Sequence, residues 1–456
     1  MKTRHSLIGG LPLLLVAAVA GATNGYFTDG AGTKNAGLAG AGSADPEEAM
    51  IAATNPAGLA YVDERIEAGL QLFSPDRSYT TSASLAQGQG GAFTIGPNDL
   101  NSNNKLFPLP DVAMAWKLDA SDTLGLALYG RGGMNTKWSG GTATFDPDGP
   151  GPAPVMTLPG TYGTGTAGVD LMQAFLNLSG AHAFAQHSFA VGGALILAAQ
   201  RFEARGVGAF AGYTETFAAS GGTTMPTHLT NTGHDMSYGA GASVGLQWHP
   251  DPQFSAALAY TSKIYMQKFR KYADLFAGHG GFDIPATATL GLTYKPVTPV
   301  AVDFDVQRIW YADVPSIGNG IANLFACPTA GAGGTDVASC LGGIHGPGFG
   351  WRNMTVYKLG LRYAVDSTWT VRGGFSHGTQ PIPGSQLTLN ILAPGVIENH
   401  FAVGFTRSMA NHGELNMAFT YAPEKKVVGT NTFDPTQTIE VRMHQYILEV
   451  GYAWGL

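Results

Sequence analysis

Charge is scarce in this chain. Asp, Glu, Lys and Arg make up 12% of its 456 residues, about half the share of an average soluble domain, which argues against a globule covered by water. With 25 cations against 32 acids the net charge is −7, so the chain offers no basic footprint for nucleic acid. Long apolar runs are missing too. The stretch Leu11–Ala20 falls short of the roughly 20 residues that a helical membrane span needs, and no helical span follows it. Cysteine is limited to Cys327 and Cys340, thirteen residues apart in one long loop. In an oxidising compartment they read as a disulfide worth about 2–4 kcal/mol, or else as two unpaired thiols. A metal site is disfavoured, since four ligands are the norm and only His345 lies nearby. The 12 histidines are scattered without ligand spacing. Gly163–Gly168 has the G-x-G-x-x-G spacing but leads into a strand instead of opening a helix, so a dinucleotide site is not expected. No Ser/His/Asp grouping can be placed. The chain therefore reads as a non-enzyme without cofactor or metal.

What is abundant is glycine, with 64 residues, about twice the usual share. The first twenty-two residues carry Lys2 and Arg4, then the short apolar run, then small-residue exits at Ala18-Val19-Ala20 or Ala20-Gly21-Ala22. That is the pattern of a secretory signal peptide. Its removal takes two cations and no acid, so the mature net charge moves from −7 to −9.

Six short polar turns then recur along the chain: Leu118–Thr123, Phe184–Ser188, His249–Gln253, Lys295–Pro299, Val365–Thr368 and Ser408–Gly413. Each is flanked by alternating apolar and small or polar residues and is rich in turn formers. Two strands per turn, with a first strand near Arg65–Phe73 and a last one at Met443–Trp454, predict fourteen. An even number leaves both chain ends on the side of the short turns, as in outer-membrane barrels. In the last strand Tyr446, Leu448, Val450, Tyr452 and Trp454 share one face, beginning and ending with aromatics as an interfacial girdle would. Tyr357, Leu359, Leu361 and Tyr363 repeat the pattern, as do Val300, Val302, Phe304 and Val306. A soluble β-sandwich also alternates, but it would have to bury Tyr and Trp at the ends of many strands. A closed barrel pairs every backbone group in lipid and an open sheet does not.

The turns leave seven outer loops, near Ser74–Leu109, Arg131–Val169, Phe202–Gly239, Ser262–Pro285, Trp310–Met354, His377–Asn399 and Ala422–Glu440. In the fourth, Phe269, Tyr272 and Phe276 recur at helical spacing, which predicts a short amphipathic helix that either captures ligand or packs on a neighbouring loop. Between the leader and the first strand lie about forty apolar, glycine-rich residues. Packed inside the lumen they form a plug, which would let the interior do with few charges. A periplasmic extension is the alternative.

Several strings resemble one family. NGYF at Asn24–Phe27, GLAGAGSAD at Gly37–Asp45 and NPAGLA at Asn55–Ala60 look like the hatch of the FadL-type outer-membrane transporters of long-chain fatty acids and aromatic hydrocarbons. Further echoes follow in order: PLPDVAMAWKL at Pro108–Leu118, QRFEA at Gln200–Ala204, VDFDVQRIWY at Val302–Tyr311, WRNMTVYKLGLRY at Trp351–Tyr363, WTVRGGFSH at Trp369–His377 and TQPIPG at Thr379–Gly384. The resemblance implies a signal peptide at 1–22, a hatch at 23–63 and a fourteen-stranded all-β barrel at 64–456. It also implies passive import of hydrophobic compounds. Ligand would be captured by the outer loops, held in a lumen pocket and released sideways beside a kinked third strand. By the same resemblance Asn55, Pro56 and Ala57 are hatch residues near the gate. Tyr26 or Phe27 is the apolar plug end that competes with ligand, and Arg201 is the position that meets a ligand carboxylate, its alternative being a lumen-facing salt bridge with Glu203 or another acid. Phe269, Tyr272 and Phe276 are candidate ligand contacts, and the Gly132-Gly133 pair after strand Thr123–Gly130 is the candidate kink. Fatty-acid members carry a lysine shortly after the strand that here ends Trp310-Tyr311, where this chain has Val314-Pro315-Ser316-Ile317. The chain also ends Gly455-Leu456 instead of in an aromatic. The expected partners are a hydrophobic ligand, outer-membrane lipid and lipopolysaccharide, with the protein a monomer. The competing readings are a general porin and, further off, an outer-membrane enzyme or adhesin.

Overall fold

The computed structural model describes residues 24–146, 154–184, 187–410 and 412–456; the leader expected at 1–22 lies outside them. Fourteen long strands run in order: β1 Arg65–Thr81, β2 Phe107–Lys117, β3 Asp122–Asn135, β4 Gly168–Phe184, β5 Phe189–Arg205, β6 Asp235–Asp251 and β7 Phe254–Thr261. They continue with β8 Thr287–Val297, β9 Val300–Ile309, β10 Met354–Ala364, β11 Trp369–Gly378, β12 Asn399–Ser408, β13 Gly413–Asn431 and β14 Asp434–Gly455. Each pairs antiparallel with the next, and β14 returns to β1 through a ladder from Arg65↔Gly455 to Thr81↔Ile439, so the sheet closes on itself. All six expected turns join consecutive strands at one end, the end where the barrel's first and last residues meet.

Alternation is what places these strands in a membrane. Leu128, Leu195, Leu258, Leu359, Val403 and Leu448 point outward and are exposed, as a lipid-facing band requires. Trp248, Tyr294, Tyr363 and Trp454 ring it near the short turns, and Tyr260, Tyr357, Tyr421 and Tyr446 ring it toward the other end. Aromatic side chains at both levels match two membrane interfaces.

Above the outer ring the pattern inverts, and this overturns the seventh loop. Ala422–Glu440 is not a loop: β13 and β14 run through it and meet at Thr432-Phe433. Here Lys426, Glu440 and Arg442 face out while Ile439, Val441 and Met443 are fully buried. Outside the membrane the outer face meets water and the inner face meets protein, so polar residues change sides. β1 likewise continues past Phe73 to Thr81, with Tyr79 buried inward.

Residues from Asn24 to Val62 fill the lumen as three short helical pieces, Thr33–Ala36, Ala49–Ala53 and Pro56–Tyr61, joined by turns and irregular chain. Wall glycines let this hatch approach the strands. A Cβ on Gly192 would stand 2.3 Å from the Ala57 nitrogen, and one on Gly374 would stand 2.1 Å from the Leu38 carbonyl carbon. Over the top, Ile382, Leu387, Ile391, Leu392, Val396 and Ile397 of the segment between β11 and β12 are all buried. Cys327 and Cys340 are bonded to each other, with Cα atoms 4.8 Å apart, and close the loop between β9 and β10.

The lipid face gives a direct test. Leu359 sits at the middle of β10 and is 50% exposed, so Leu359→Arg is expected to cost about 2–4 kcal/mol of barrel stability. Reversible denaturant unfolding in lipid vesicles measures this; an unchanged midpoint would mean that β10 does not cross lipid.

Candidate functional site

The tip of the hatch is an aromatic knot. Asn24 and Phe27 close a turn through Asn24 N–H to Phe27 O at 2.9 Å, and Tyr26 and Phe27 are 0% and 2% exposed. The Tyr26 ring meets Phe27, Tyr311, Trp351 and Phe282 at centroid distances of 5.0, 5.3, 5.9 and 6.3 Å. From Phe282 the contact passes to Phe276 at 4.8 Å and from there to Phe202 at 4.6 Å. Phe269 and Tyr272 lie against Phe202 as well, at 5.5 and 4.8 Å. The three loop aromatics singled out by spacing therefore do converge, but not as a helix. Arg270–Tyr272 is one 3-10 turn, and Gly278 and His279 take left-handed backbone at φ 67° and 62° in the turn that follows. Their common face is set by packing on Phe202. The sequence reading missed Phe202, Phe282, Tyr311 and Trp351 as members; all but Phe282 sit inside the family-like strings, which was the available signal.

A charged latch holds the hatch to the wall, contrary to the expectation of a lumen with few charges. Asp45 meets Lys295 at 2.7 Å and Arg362 at 2.5 Å. Glu47 meets Arg362 at 2.5 Å and Arg372 at 2.9 Å, and Lys34 meets Glu414 at 2.7 Å. Burial alone would raise the Glu47 carboxyl, but Arg372, Arg362 and Lys34 overcome it and hold it well below the usual carboxylate range. Lower down, Asn55 caps the turn that begins at Pro56 by accepting the Ala57 N–H at 3.2 Å, and it donates to Gln247 Oε1 at 2.9 Å. Pro56 suits this first position because its missing N–H would have no helical acceptor there. Asn55, Pro56 and Ala57 thus sit at the hatch foot against β5 and β6.

The wall is interrupted at one place beside the hatch tip. The β2–β3 ladder runs from Lys117↔Thr123 only to Val112↔Leu128. Beyond it β2 continues along β1 to Phe107, and β3 continues along β4 to Asn135. The cause is readable. Leu118 N–H donates to Asp122 O, and N–H groups along a strand turn to alternate neighbours, so the even-numbered residues of β2 face β3. The next two past Val112 are Pro110 and Pro108, which have no N–H to give. On the other side, β3 has a register shift between Gly130 and Gly132 against β4. The kink glycines therefore lie within the strand, not after its end. The edge left bare is taken by the hatch: Gly133 N–H donates to Tyr26 O at 3.0 Å and Thr28 N–H to Arg131 O at 2.8 Å. A cavity of about 20 Å³ lined by Gln71, Leu109, Pro110, Tyr129 and Gly130 marks the gap.

Arg201 does not join this site. It shares its face of β5 with Leu195 and Leu197, which are 50% and 42% exposed, while Gln200 and Phe202 on either side turn inward. Its partner is Asp170 on β4 at 3.1 Å, not Glu203, which binds Arg205 at 2.7 Å. Inside the lumen, Ser376, His400 and Asp29 do meet, with Ser376 Oγ 3.1 Å from His400 Nδ1. Asp29, however, accepts from Ser376 directly at 3.0 Å and leaves His400 Nε2 without a partner. The carboxylate therefore does not orient the imidazole as a catalytic triad requires.

The profile of the family described as outer membrane protein transport protein (OMPP1/FadL/TodX) matches residues 156–452. The Pseudomonas putida toluene transporter TodX superposes with a TM-score of 0.63 at 14% identity, covering 95% of this chain and 100% of its own. A Pseudomonas aeruginosa FadL homologue gives 0.62 at 16%, covering 94% and 99%. The Ralstonia pickettii toluene transporter TbuX gives 0.56 at 14%, covering 94% and 99%. At these identities the likeness speaks for the fold alone. No curated protein sequence matches the chain.

The latch can be tested by charge removal. Glu47→Gln leaves Arg372, whose side chain is 2% exposed, without its anion, and breaking such a buried pair costs about 3–5 kcal/mol. The expected outcome in planar bilayers is frequent channel openings where the unaltered protein stays closed. Because the folded carboxyl titrates far below its unfolded value, the latch holds above about pH 4.3 and is lost only as pH falls through the depressed value. The Glu47 pairs should therefore persist from pH 7 to about pH 4, and a Glu47→Gln channel that stays shut throughout that range would remove Glu47 from the latch.

Proposed function

The chain belongs to the outer membrane protein transport family (OMPP1/FadL/TodX), and from that premise we propose that it imports apolar small molecules passively across the bacterial outer membrane. Long-chain fatty acids and aromatic hydrocarbons are the substrate classes in view. Residues 1–22 act as a removed leader and residues 23–63 as the hatch. The observation that carries the reading is a filled lumen beside an unpaired seam: the cavities around the hatch hold about 20 Å³ or less, and the β2–β3 ladder stops halfway.

The chemistry favours a side exit. An apolar solute loses about 25 cal/mol for each Å² it must expose to water, so a water-filled pore leading to the periplasm would hold it back. Through the seam it passes from aromatic side chains directly into acyl chains. Ligand captured under the buried outer segment reaches the aromatic knot and competes with Tyr26 and Phe27. Displacing these two residues pulls the hatch from Gly133 and Arg131, and the seam opens. Phe269, Tyr272 and Phe276 line the approach. A general porin is the contrasting function, and large sustained conductance by the intact chain would favour it.

The seam itself can be closed. Continuing the β2–β3 register puts Pro110 opposite Gly130. Pro110→Cys with Gly130→Cys, bridged by a short bismaleimide, should cut uptake of labelled oleate or toluene by vesicles about tenfold or more. Each single cysteine, treated alike, is the baseline from which the effect of the bridge is read. Full uptake through the bridged protein would reject lateral release.

A further inference from the structure

Arg77 breaks a rule that the other buried cations of the lumen obey. Lys34, Arg362 and Arg372 each have a carboxylate within 3 Å, at 2.7, 2.5 and 2.9 Å, and Lys358 has that of Asp29 at 4.0 Å. Arg77 is 3% exposed on the inward face of β1 and has no ion pair among the described residues. Its guanidinium donates from Nη1 to Asn135 O at 2.9 Å and lies over the rings of Phe73 and Phe107 at 5.7 and 5.9 Å. The neighbouring acid, Asp76, points to the other side of the strand and is held by Lys105 at 2.9 Å. A buried charge that lacks a counter-charge is costly, and the five donors of a guanidinium fit the two oxygens of a carboxylate.

The arginine also faces a space. A cavity of about 10 Å³ is lined by Arg77 with Gly25, Met134, Trp351 and the segment Ala393–Gly395. Its walls are apolar except for Arg77, Asn135 and Thr136. The rings of Phe73 and Phe107, which flank the guanidinium, lead down to Leu109 and the unpaired seam. We propose that Arg77 is the anion-binding residue of the lumen, holding the carboxylate of an amphiphile whose apolar part lies along Trp351, Met134 and Phe107 toward the seam. This rests on the transport reading above and adds to it the charge of the cargo.

The cavity as it stands is smaller than any such ligand, so binding moves a wall, and the wall that can move is the hatch. Gly25 lines the cavity and is followed by Tyr26, whose carbonyl closes on Gly133. An acid group seated at Arg77 thereby pushes on the residue next to the one that seals the exit. Binding and release are coupled through a single peptide.

The test compares acid and neutral members of two ligand pairs, oleate with methyl oleate and benzoate with toluene, on the purified full chain in detergent, by titration calorimetry. Unaltered protein should bind the acid of at least one pair. Arg77→Gln should weaken that acid tenfold or more while changing its neutral partner less than threefold, and Arg77→Lys should recover most of the loss. Heat-modified gel mobility checks that each variant is folded. If Arg77→Gln weakens both members alike or neither, or if unaltered protein binds only the neutral members, Arg77 is not the anion site and hydrophobic transport still stands. Unaltered protein that binds no member of either pair would sink the transport reading and this inference together.

Discussion

Everything in this molecule depends on the requirement that a backbone N–H or C=O inside hydrocarbon must have a partner. The seams of the ring meet it through ladders, the β6–β7 one ending at Ser243↔Thr261 and resuming at Ala240↔Tyr265, whereas the β2–β3 seam meets it only up to Val112↔Leu128 and does not resume. Past that point Pro108 and Pro110 remove two donors from one side. The shift between Gly130 and Gly132 turns the groups of β3 onto a new phase. The hatch then supplies the missing partners through Tyr26 and Thr28. The same peptide that plugs the lumen therefore repairs the wall, so the barrel cannot release the plug without exposing an edge.

That dependence explains why the lumen is charged. Apolar packing alone would hold a forty-residue segment in place but would not set its register, whereas a carboxylate buried among arginines has one low-energy position. Asp45 and Glu47 reach β8, β10 and β11, and Lys34 reaches β13. The foot of the hatch is pinned by ion pairs, while its tip rests on ring contacts, on the two hydrogen bonds to β3 and on neutral donors, the Tyr311 hydroxyl to Asn24 O and Ser376 Oγ to Asp29. Such a division between a fixed foot and a weakly held tip is what a gate requires.

The barrel was legible in the sequence because a lipid-facing strand has no freedom: every second residue must be apolar, and turns between adjacent strands must be polar and tight. Leu359 between Lys358 and Gly360 can be read in only one way. Legibility failed where lipid stops. Above the outer ring, Val427 and Ile439 stay in strands whose polar side has turned outward, and the inverted alternation of β13 and β14 resembled a loop. The loop aromatics Phe269, Tyr272 and Phe276 gave a spacing that a helix shares with a chain folded over one large ring, and only Phe202 decides between the two. The latch was illegible for a simpler reason: Glu47 and Arg372 lie 325 positions apart.

The two arginines show how much turns on a single step of register. Motif matching pointed to Arg201, but strand geometry is strict to one residue, and Arg201 lies between two inward residues, Gln200 and Phe202. On β5 the guanidinium faces out and is satisfied by Asp170. On β1, Phe73, Pro75, Arg77 and Tyr79 are the buried, inward set, so the guanidinium that lacks an acid is also the one that faces the cavity. The absence of a lysine at Val314–Ile317 therefore does not by itself make this a carrier of neutral molecules. What the interior does hold, at Arg77, is a buried guanidinium without an acid beside it.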